Sequence, residues 1–560
     1  MDWQRNGLIA AMVIIFGLLF IRWNEYQEEH APIISEARDE SLIIPSLTTD
    51  LALEKTPSSV LSQKGISAIP ELIAAESTPE SQELIKASLV TIKTDVLEVI
   101  IDTLGGDIVK VSLLEHRVSQ DTNAEPFVLL NRTKSHTYIA QSGLIGRNGT
   151  DTEAGRPRFF VNQTDYALMD GQDQLVVDLV LQQDGVTITK SFVFKRNTYL
   201  IDLAYRIDNK TDMPWQAHLF GQIQRDSKNP DLGRSMGPNA YLGAAITTEE
   251  DNYLKQDFSD LEELAFKTQK QGGWVAMVQH YFVSAWIPDQ SSQNNYLLRK
   301  LGDKDLYVMG FTGEAVEVAP RERGELRAAF YVGPKDQNYL EKVSPYLGLT
   351  IDYGWLWWVA KPLFSGLSFF HGLIGNWGWS IILLTIVVKL LFFPLSAASY
   401  KSMARMRKLQ PEMARLKDIH GDDRQKLSQE MMAFYKKEKV NPVGGCLPML
   451  IQMPVFIALY WVLNEGVELR HAPWILWLTD LSTKDPYYVL PVLNGLSMFV
   501  LQTLQPAPPD PIQAKVMKFM PVAFSFFFMF FPSGLVLYWT VNSMLSIAQQ
   551  WTITRKIIRE

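Results

Sequence analysis

Cysteine is almost absent. Cys446 stands alone in the chain, so no intramolecular disulfide can form even if part of the protein lies in an oxidising compartment. The eight histidines are scattered singly, with no His-Glu-x-x-His and no Cys/His cluster, which argues against a structural or catalytic transition metal. No cofactor motif is present either, and no catalytic residue is assigned. Carboxylates are missing from the apolar runs of the last third, where a proton-coupled transporter would need them. An intramembrane protease would want a Ser–His pair or two aspartates at that depth, and neither is there. Matching halves of the kind built into inverted-repeat transporters are lacking as well.

What is there is one positive charge in an apolar run. From Trp379 to Leu395 every side chain is apolar or small except Thr385 and Lys389. A lysine at the centre of a bilayer costs roughly 2.5–3.5 kcal/mol, so it needs a compensating partner or a wet cavity. Thr385 and Lys389 are four apart and share a helix face. Two readings stand side by side. Lys389 lies only about 7–8 Å of helix before Pro394, within reach of snorkelling to the headgroups, or it lines a watered surface that attracts negative charge.

The composition is uneven along the chain, and the net charge of −8 averages two unlike parts. Residues 1–23 hold the apolar run Leu8–Phe20 between Trp3 and Trp23, with no small-x-small cleavage site after it; this favours an uncleaved signal-anchor over a removed signal peptide. Residues 24–88 are rich in Ser, Glu, Pro, Ala and Thr and read as a flexible tether. Over 89–345 the period becomes two. Leu175–Leu181, Val186–Phe194 and Tyr199–Ile207 are joined by Asp184-Gly185 and Arg196-Asn197 turns, and Tyr296–Leu301 and Ala328–Val332 continue the pattern. A large antiparallel β-sandwich is expected, with Thr247–Lys270 as loop plus some helix. Over 346–372 the aromatic-rich stretch Tyr353–Phe370 suits an amphipathic segment lying in the membrane interface.

The region 373–560 is expected to be an α-helical membrane bundle. Its five apolar runs are Trp377–Leu395, Cys446–Leu463, Val489–Leu504, Met517–Phe531 and Leu535–Trp551. Several fall short of the about 20 residues a bilayer core requires, which implies local thinning. The loop Ser396–Val440 is crowded with basic residues such as Lys401, Arg405, Arg407 and Lys408, whereas Asn464–Tyr488 has only Arg470 and Lys484. The positive-inside rule then puts the first loop and both termini in the cytoplasm and residues 24–350 outside.

Two further patterns carry chemistry. Tyr538, Asn542, Ser546 and Gln549 recur at helical spacing as one polar stripe, with Asn494, Ser497 and Gln452 adding polar positions in other runs. Some of these glue helices together, but a stripe of that length exceeds what packing requires. The basic loop, 396–440, reads as a helical hairpin, Tyr400–Ile419 and Arg424–Lys437, turning at His420–Asp423 and interrupted by Pro411. Met403, Met406, Met413, Met431 and Met432 lie along it; they either cement the helix pair or present flexible contacts to varied apolar partners. Its basic face is suited to anionic lipid or ribosomal RNA.

Taken in order, Gly375–Gly378, Leu409–Pro411, Asn441–Pro448, Gln452–Pro454, Asp485–Tyr488 and Phe531–Tyr538 resemble the YidC/Oxa/Alb family of membrane protein insertases over about 350–560. The whole chain resembles the long Gram-negative form, with a looser match around Thr189–Val193. The resemblance implies insertion of newly made proteins into the bacterial inner membrane without ATP, alone or beside the Sec translocon, through a hydrophilic groove enclosed by five helices. It implies Lys389, Thr385, Tyr538 and Trp539 as groove residues, to which the polar positions read above add Asn542, Ser546 and Gln452. A basic residue, usually arginine, sits at the Lys389 position; lysine keeps the charge but loses the bidentate fork. Two tyrosines are common where this chain has Tyr538 and Trp539. The implied partners are nascent membrane proteins, the Sec translocon, the ribosome with signal-recognition components, and membrane lipids, but not DNA. The outer domain is implied to be a sugar-enzyme-like β-sandwich without established chemistry. Two rivals are a secondary transporter or channel with an outer binding domain, and an anchored carbohydrate enzyme using acids such as Asp178 and Asp202.

Overall fold

The computed structural model describes residues 89–121, 123–229, 240–420, 424–438, 447–505 and 511–559. The expected signal-anchor and tether, the turn at 421–423 and most of the Asn441–Pro448 motif lie outside the described residues.

The alternating segments pair as their periodicity requires. Gln174–Gln183 and Val186–Lys195 form a hairpin, with Gln183 opposite Val186. The turn between them holds Asp184 at φ 51° and Gly185 at φ 81°, the two left-handed positions that match a tight hairpin to strand twist. Val186–Lys195 pairs next with Leu200–Asn209, which buries Ile201, Leu203, Tyr205 and Ile207. Among the described residues eight strands form this sheet and ten the other. Their inner faces make one core, where Trp286 of the smaller sheet approaches Phe311 of the larger at 6.3 Å. The sandwich is antiparallel apart from one short pairing, Leu89–Lys93 beside Asp165–Ala167.

Within the segment expected to be loop with some helix, Phe258–Glu263 is a helix (α1), but Leu254–Gln256 and Phe266–Gln271 are strands. The second, FKTQKQ, is an edge strand with one solvated face, so its polar composition hid the period-two pattern. Asp178 and Asp202 do not converge: Asp178 accepts from Ser191 Oγ at 2.5 Å, and Asp202 pairs with Lys195 at 2.7 Å.

After the last strand, Arg323–Pro334, a short helix Gln337–Val343 (α2) leads to Trp357–Ile374 (α3), which leaves Trp357, Trp358, Phe369 and Leu373 exposed while burying Ala360, Phe364 and Leu367. Then follow Trp377–Leu391 (α4), Phe393–Lys408 (α5), Gln410–His420 (α6), Arg424–Lys437 (α7), Leu447–Glu465 (α8), Val489–Thr503 (α9), Pro511–Phe528 (α10) and Ser533–Arg559 (α11). The first apolar run is not one straight helix. It breaks at Phe392 and the chain turns by 67° into α5. Pro394 explains the break, since it lacks a backbone N–H and its ring crowds the preceding turn. Among the described residues no single helix is long and apolar enough to cross a membrane, whereas α4 and α5 taken together are. Helix α11 packs on α4, α5, α8 and α9, and so forms the spine of the bundle.

The sandwich is docked on the bundle by polar contacts. Lys335 Nζ and Glu465 Oε2 stand 2.7 Å apart, each side chain 1% exposed. His280 Nε2 donates to the Asn464 carbonyl at 2.8 Å, and burial beside Lys335 holds its pKa down to about 4, so it stays neutral. Arg470 donates to the Arg117 carbonyl at 2.6 Å and lies over the rings of Phe127 and Phe282. Removing one partner of a buried ion pair strands the other, at a cost of about 3–5 kcal/mol. Glu465→Gln should therefore lower the unfolding temperature and speed proteolysis at the junction, while Lys335→Met with Glu465→Leu should recover most of the loss; a double variant no better than the single would contradict this.

Candidate functional site

The site begins where α4 is seated. Asn376 caps it, its Oδ1 accepting from Trp379 N at 3.2 Å, while its amide donates to the carbonyls of Pro473 and Trp474. A Cβ on Gly378 would stand 2.2 Å from the Trp474 indole, so only glycine permits this approach. The loop between α8 and α9 also holds α11: Ser533 N and Gly534 N donate to the carbonyls of Thr483 and Leu481 at 2.6 and 2.9 Å. These contacts fix α4 and α11 against each other and bring Lys389 to the polar stripe.

Lys389 is 5% exposed and turned inward. Its ammonium donates to Ser546 Oγ at 2.7 Å and to Gln452 Oε1 at 3.2 Å. Gln452 Nε2 in turn reaches Asn542 Oδ1 at 2.5 Å and Tyr538 Oη at 3.2 Å. Ser546 Oγ also donates to the Asn542 carbonyl at 2.8 Å. The cluster thus joins α4, α8 and α11, and among the described residues no carboxylate pairs with the cation. Every acceptor is neutral. The arrangement can hold a positive charge out of water without neutralising it.

Not every expected residue points into this cluster. Thr385 is 1% exposed, but its hydroxyl donates back to the Ile381 carbonyl at 2.7 Å, within its own helix. Trp539 lies one residue round the helix from Tyr538 and packs edge-on against Phe456 at 4.5 Å and beside Phe528 at 5.5 Å. Gln549, at the lower end of the stripe, is half-buried. Tyr400 of α5 reaches Ser546 as well, a participant that sequence reasoning missed because it lies beyond the break at Phe392. A second polar file on α11 was also missed: Thr540, Ser543 and Gln550 are buried, and Gln550 donates to the Leu504 carbonyl at 3.0 Å; on α9 the expected polar positions Asn494 and Ser497 are both buried, the Asn494 side-chain amide with no partner among the described residues.

In the basic hairpin, Met406, Met413 and Met431 are buried with Tyr435, whose hydroxyl lies 3.7 Å from the Met413 sulfur. Met403 is buried on α5 and Met432 is half-buried. Three of the five methionines thus cement the hairpin from within. Pro411 sits at the start of α6, just past the interruption at Leu409.

Comparison with known proteins decides the family. The family model described as YidC periplasmic domain matches residues 89–365, and the 60Kd inner membrane protein model matches 369–560. The membrane protein insertase YidC of Cellvibrio japonicus is 56% identical over 100% of this chain and 99% of its own, and that of Saccharophagus degradans is 52% identical over the same shares. The chain belongs to the YidC family of membrane protein insertases. A crystal structure of an active YidC insertase with its first transmembrane domain resolved is similar at 20% identity and a TM-score of 0.38, covering 82% of this chain and 92% of that one. By its family models and full-length relatives, this YidC-family chain is a bacterial inner-membrane protein that acts as a membrane protein insertase.

The neutrality of Lys389's partners generates a test. Gln452→Leu removes an acceptor from a buried cation and should cost about 1–3 kcal/mol. Gln452→Glu should instead raise the melting temperature in detergent, by giving Lys389 a fixed counter-charge, and should slow insertion for the same reason. A Gln452→Glu variant that is less stable, or stable and fully active, would contradict this geometry.

Proposed function

We propose that the Lys389 cluster is the reception point of a hydrophilic groove through which this insertase passes polar, often acidic, segments of its substrates. The supporting observation is the buried ammonium of Lys389, held by Ser546 and Gln452 and by no carboxylate among the described residues. An ammonium has three donors and the described contacts use two. A passing carboxylate can take the remaining donor, and displace the neutral acceptors, without breaking an ion pair first. The same neutrality limits the hold, so the segment leaves once its flanking apolar helix finds lipid. The membrane potential adds roughly 2.3 kcal/mol per charge per 100 mV, with a sign set by the segment.

In this reading the apolar runs span the inner membrane behind an N-terminal signal-anchor, with both termini cytoplasmic and residues 24–350 periplasmic, and Trp357–Ile374 lies in the interface. The hairpin 396–440 receives nascent chains from the ribosome and signal-recognition components, and the groove works alone or beside the Sec translocon. Thr385 and Trp539 line the path on the flanks of the cluster. The polar side chains spare part of the desolvation of a segment crossing a core some 30 Å thick. Membrane lipid is the receiving phase, and no enzymatic step, cofactor or DNA enters the cycle.

The test is insertion of a single-span protein with a short acidic tail in cells depleted of the insertase. Lys389→Arg should retain most insertion, Lys389→Ala should lose severalfold, and Lys389→Glu should abolish it. Equal insertion by all three would overturn the role of the charge.

A further inference from the structure

The loop between α8 and α9 carries a feature that the groove does not use. Residues 473–479, PWILWLT, contain no charged side chain. At its tip Leu476 is 81% exposed and Ile475 is exposed beside it. Leu476 also has a φ of 54°, a left-handed conformation that strains a residue with a Cβ and that glycine or asparagine would adopt more readily. A strained leucine presented to water is doubly unfavourable.

The tip is nevertheless rigid. Trp474 N donates to the Leu478 carbonyl at 2.8 Å and Leu481 N to the Ala472 carbonyl at 3.0 Å. Asn376 grips the carbonyls of Pro473 and Trp474, and Trp477 Nε1 donates to Asp485 Oδ1 at 3.0 Å. Asp480, at the end of the loop, is turned back: its Oδ1 accepts from Ser482 N at 2.8 Å and His471 N at 3.2 Å. Charge is kept away from the tip and backbone polarity is satisfied behind it.

Its place is fixed by neighbours. Trp474 lies on Gly378 in the first turn of α4, and Trp379 meets Trp474 edge-on at 5.7 Å while remaining half exposed itself. The end of α3 leaves Leu373 and Ile374 exposed, close in sequence to that same turn. The loop is on the sandwich side of the bundle, since the Thr479 carbonyl accepts from Gln120. Lys389 lies about 16 Å further along α4. The tip therefore stands at the level where α4 enters the bilayer, within a band of tryptophan and aliphatic side chains of the kind that marks a membrane interface.

We propose that Ile475 and Leu476 form a fixed apolar wedge inserted into the headgroup–acyl boundary of the leaflet on the sandwich side. Its partner is lipid, argued from the chargeless tip and from its continuity with the Trp379–Leu373 band. In lipid the exposure of Leu476 is removed, and the rigid loop behind it displaces headgroups next to the outer end of the Lys389 helix. The wedge rests on the membrane setting of this family and not on the groove reading, so failure of the Lys389 variants leaves it standing.

The test uses the full chain with Cys446→Ala and Leu476→Cys, labelled at position 476 with an environment-sensitive dye and reconstituted into phosphatidylcholine–phosphatidylglycerol vesicles; Ile475→Cys is the second variant should the first misfold. The expected result is blue-shifted emission, strong quenching by lipid spin-labelled near the headgroup, weaker quenching by lipid labelled deep in the chain, and little quenching by aqueous iodide. Quenching by iodide with no effect of spin-labelled lipid would put the tip in water. Protection from both quenchers would put it against protein, a second copy or another chain. Either result overturns the wedge.

Discussion

A lysine that has no carboxylate partner among the described residues, yet is withdrawn from water, is the constraint around which the bundle is arranged. Lys389 on a straight apolar helix costs roughly 2.5–3.5 kcal/mol at membrane depth. The bundle offsets this with an amide from α8 and a hydroxyl from α11, and satisfies those groups in turn through Asn542 and Tyr538. Helix α11 gives up apolar length to do so: it runs from Ser533 to Arg559, yet its polar file leaves it short of the hydrophobicity of a simple span. The break at Phe392 serves the same end. It places Lys389 in the last turn of α4 and brings Tyr400 back against Ser546. Under the proposed reception role a full ion pair at this position would be less useful, because an incoming carboxylate would first have to displace another.

The outer half bears on this through the loop after α8. That loop seats α4 under Trp474 and pins the start of α11, and it is itself held to the sandwich through Arg470 and Gln120. Lys335 and Glu465 fasten the end of the last strand to the end of α8, the helix that supplies Gln452. The sandwich is thus mechanically continuous with three helices of the polar cluster, although its own acids Asp178 and Asp202 converge on nothing.

The sequence made periodic features visible and left the rest dark. Thr385–Lys389 and Tyr538–Asn542–Ser546 were legible because side chains four apart share a helix face, and the hairpins were legible because period two survives wherever one sheet face is buried. Phe266–Gln271 was not, since an edge strand made of Lys, Thr and Gln carries almost no apolar signal. Phe392 was misplaced inside one continuous run because hydrophobicity does not register a bend; only Pro394 hinted at it. Tyr538 and Trp539 read as a pair and part in three dimensions, one into the polar cluster and one among Phe456 and Phe528. The contact between Lys335 and Glu465 spans 130 positions, beyond any local pattern.

The proposed reception of polar segments requires that the cluster around Lys389, buried at rest, open to the cytoplasmic side and not to the other. A cysteine at position 546 in a Cys446→Ala background would sit beside the ammonium, which favours its reactive thiolate. The direct measurement is the rate of its modification by a small, charged, membrane-impermeant thiol reagent added to inside-out or to right-side-out vesicles. The account predicts rapid modification from the cytoplasmic face and little from the outer face. A thiol inert from both faces would mean a dry packing contact, and the groove would have to be given up.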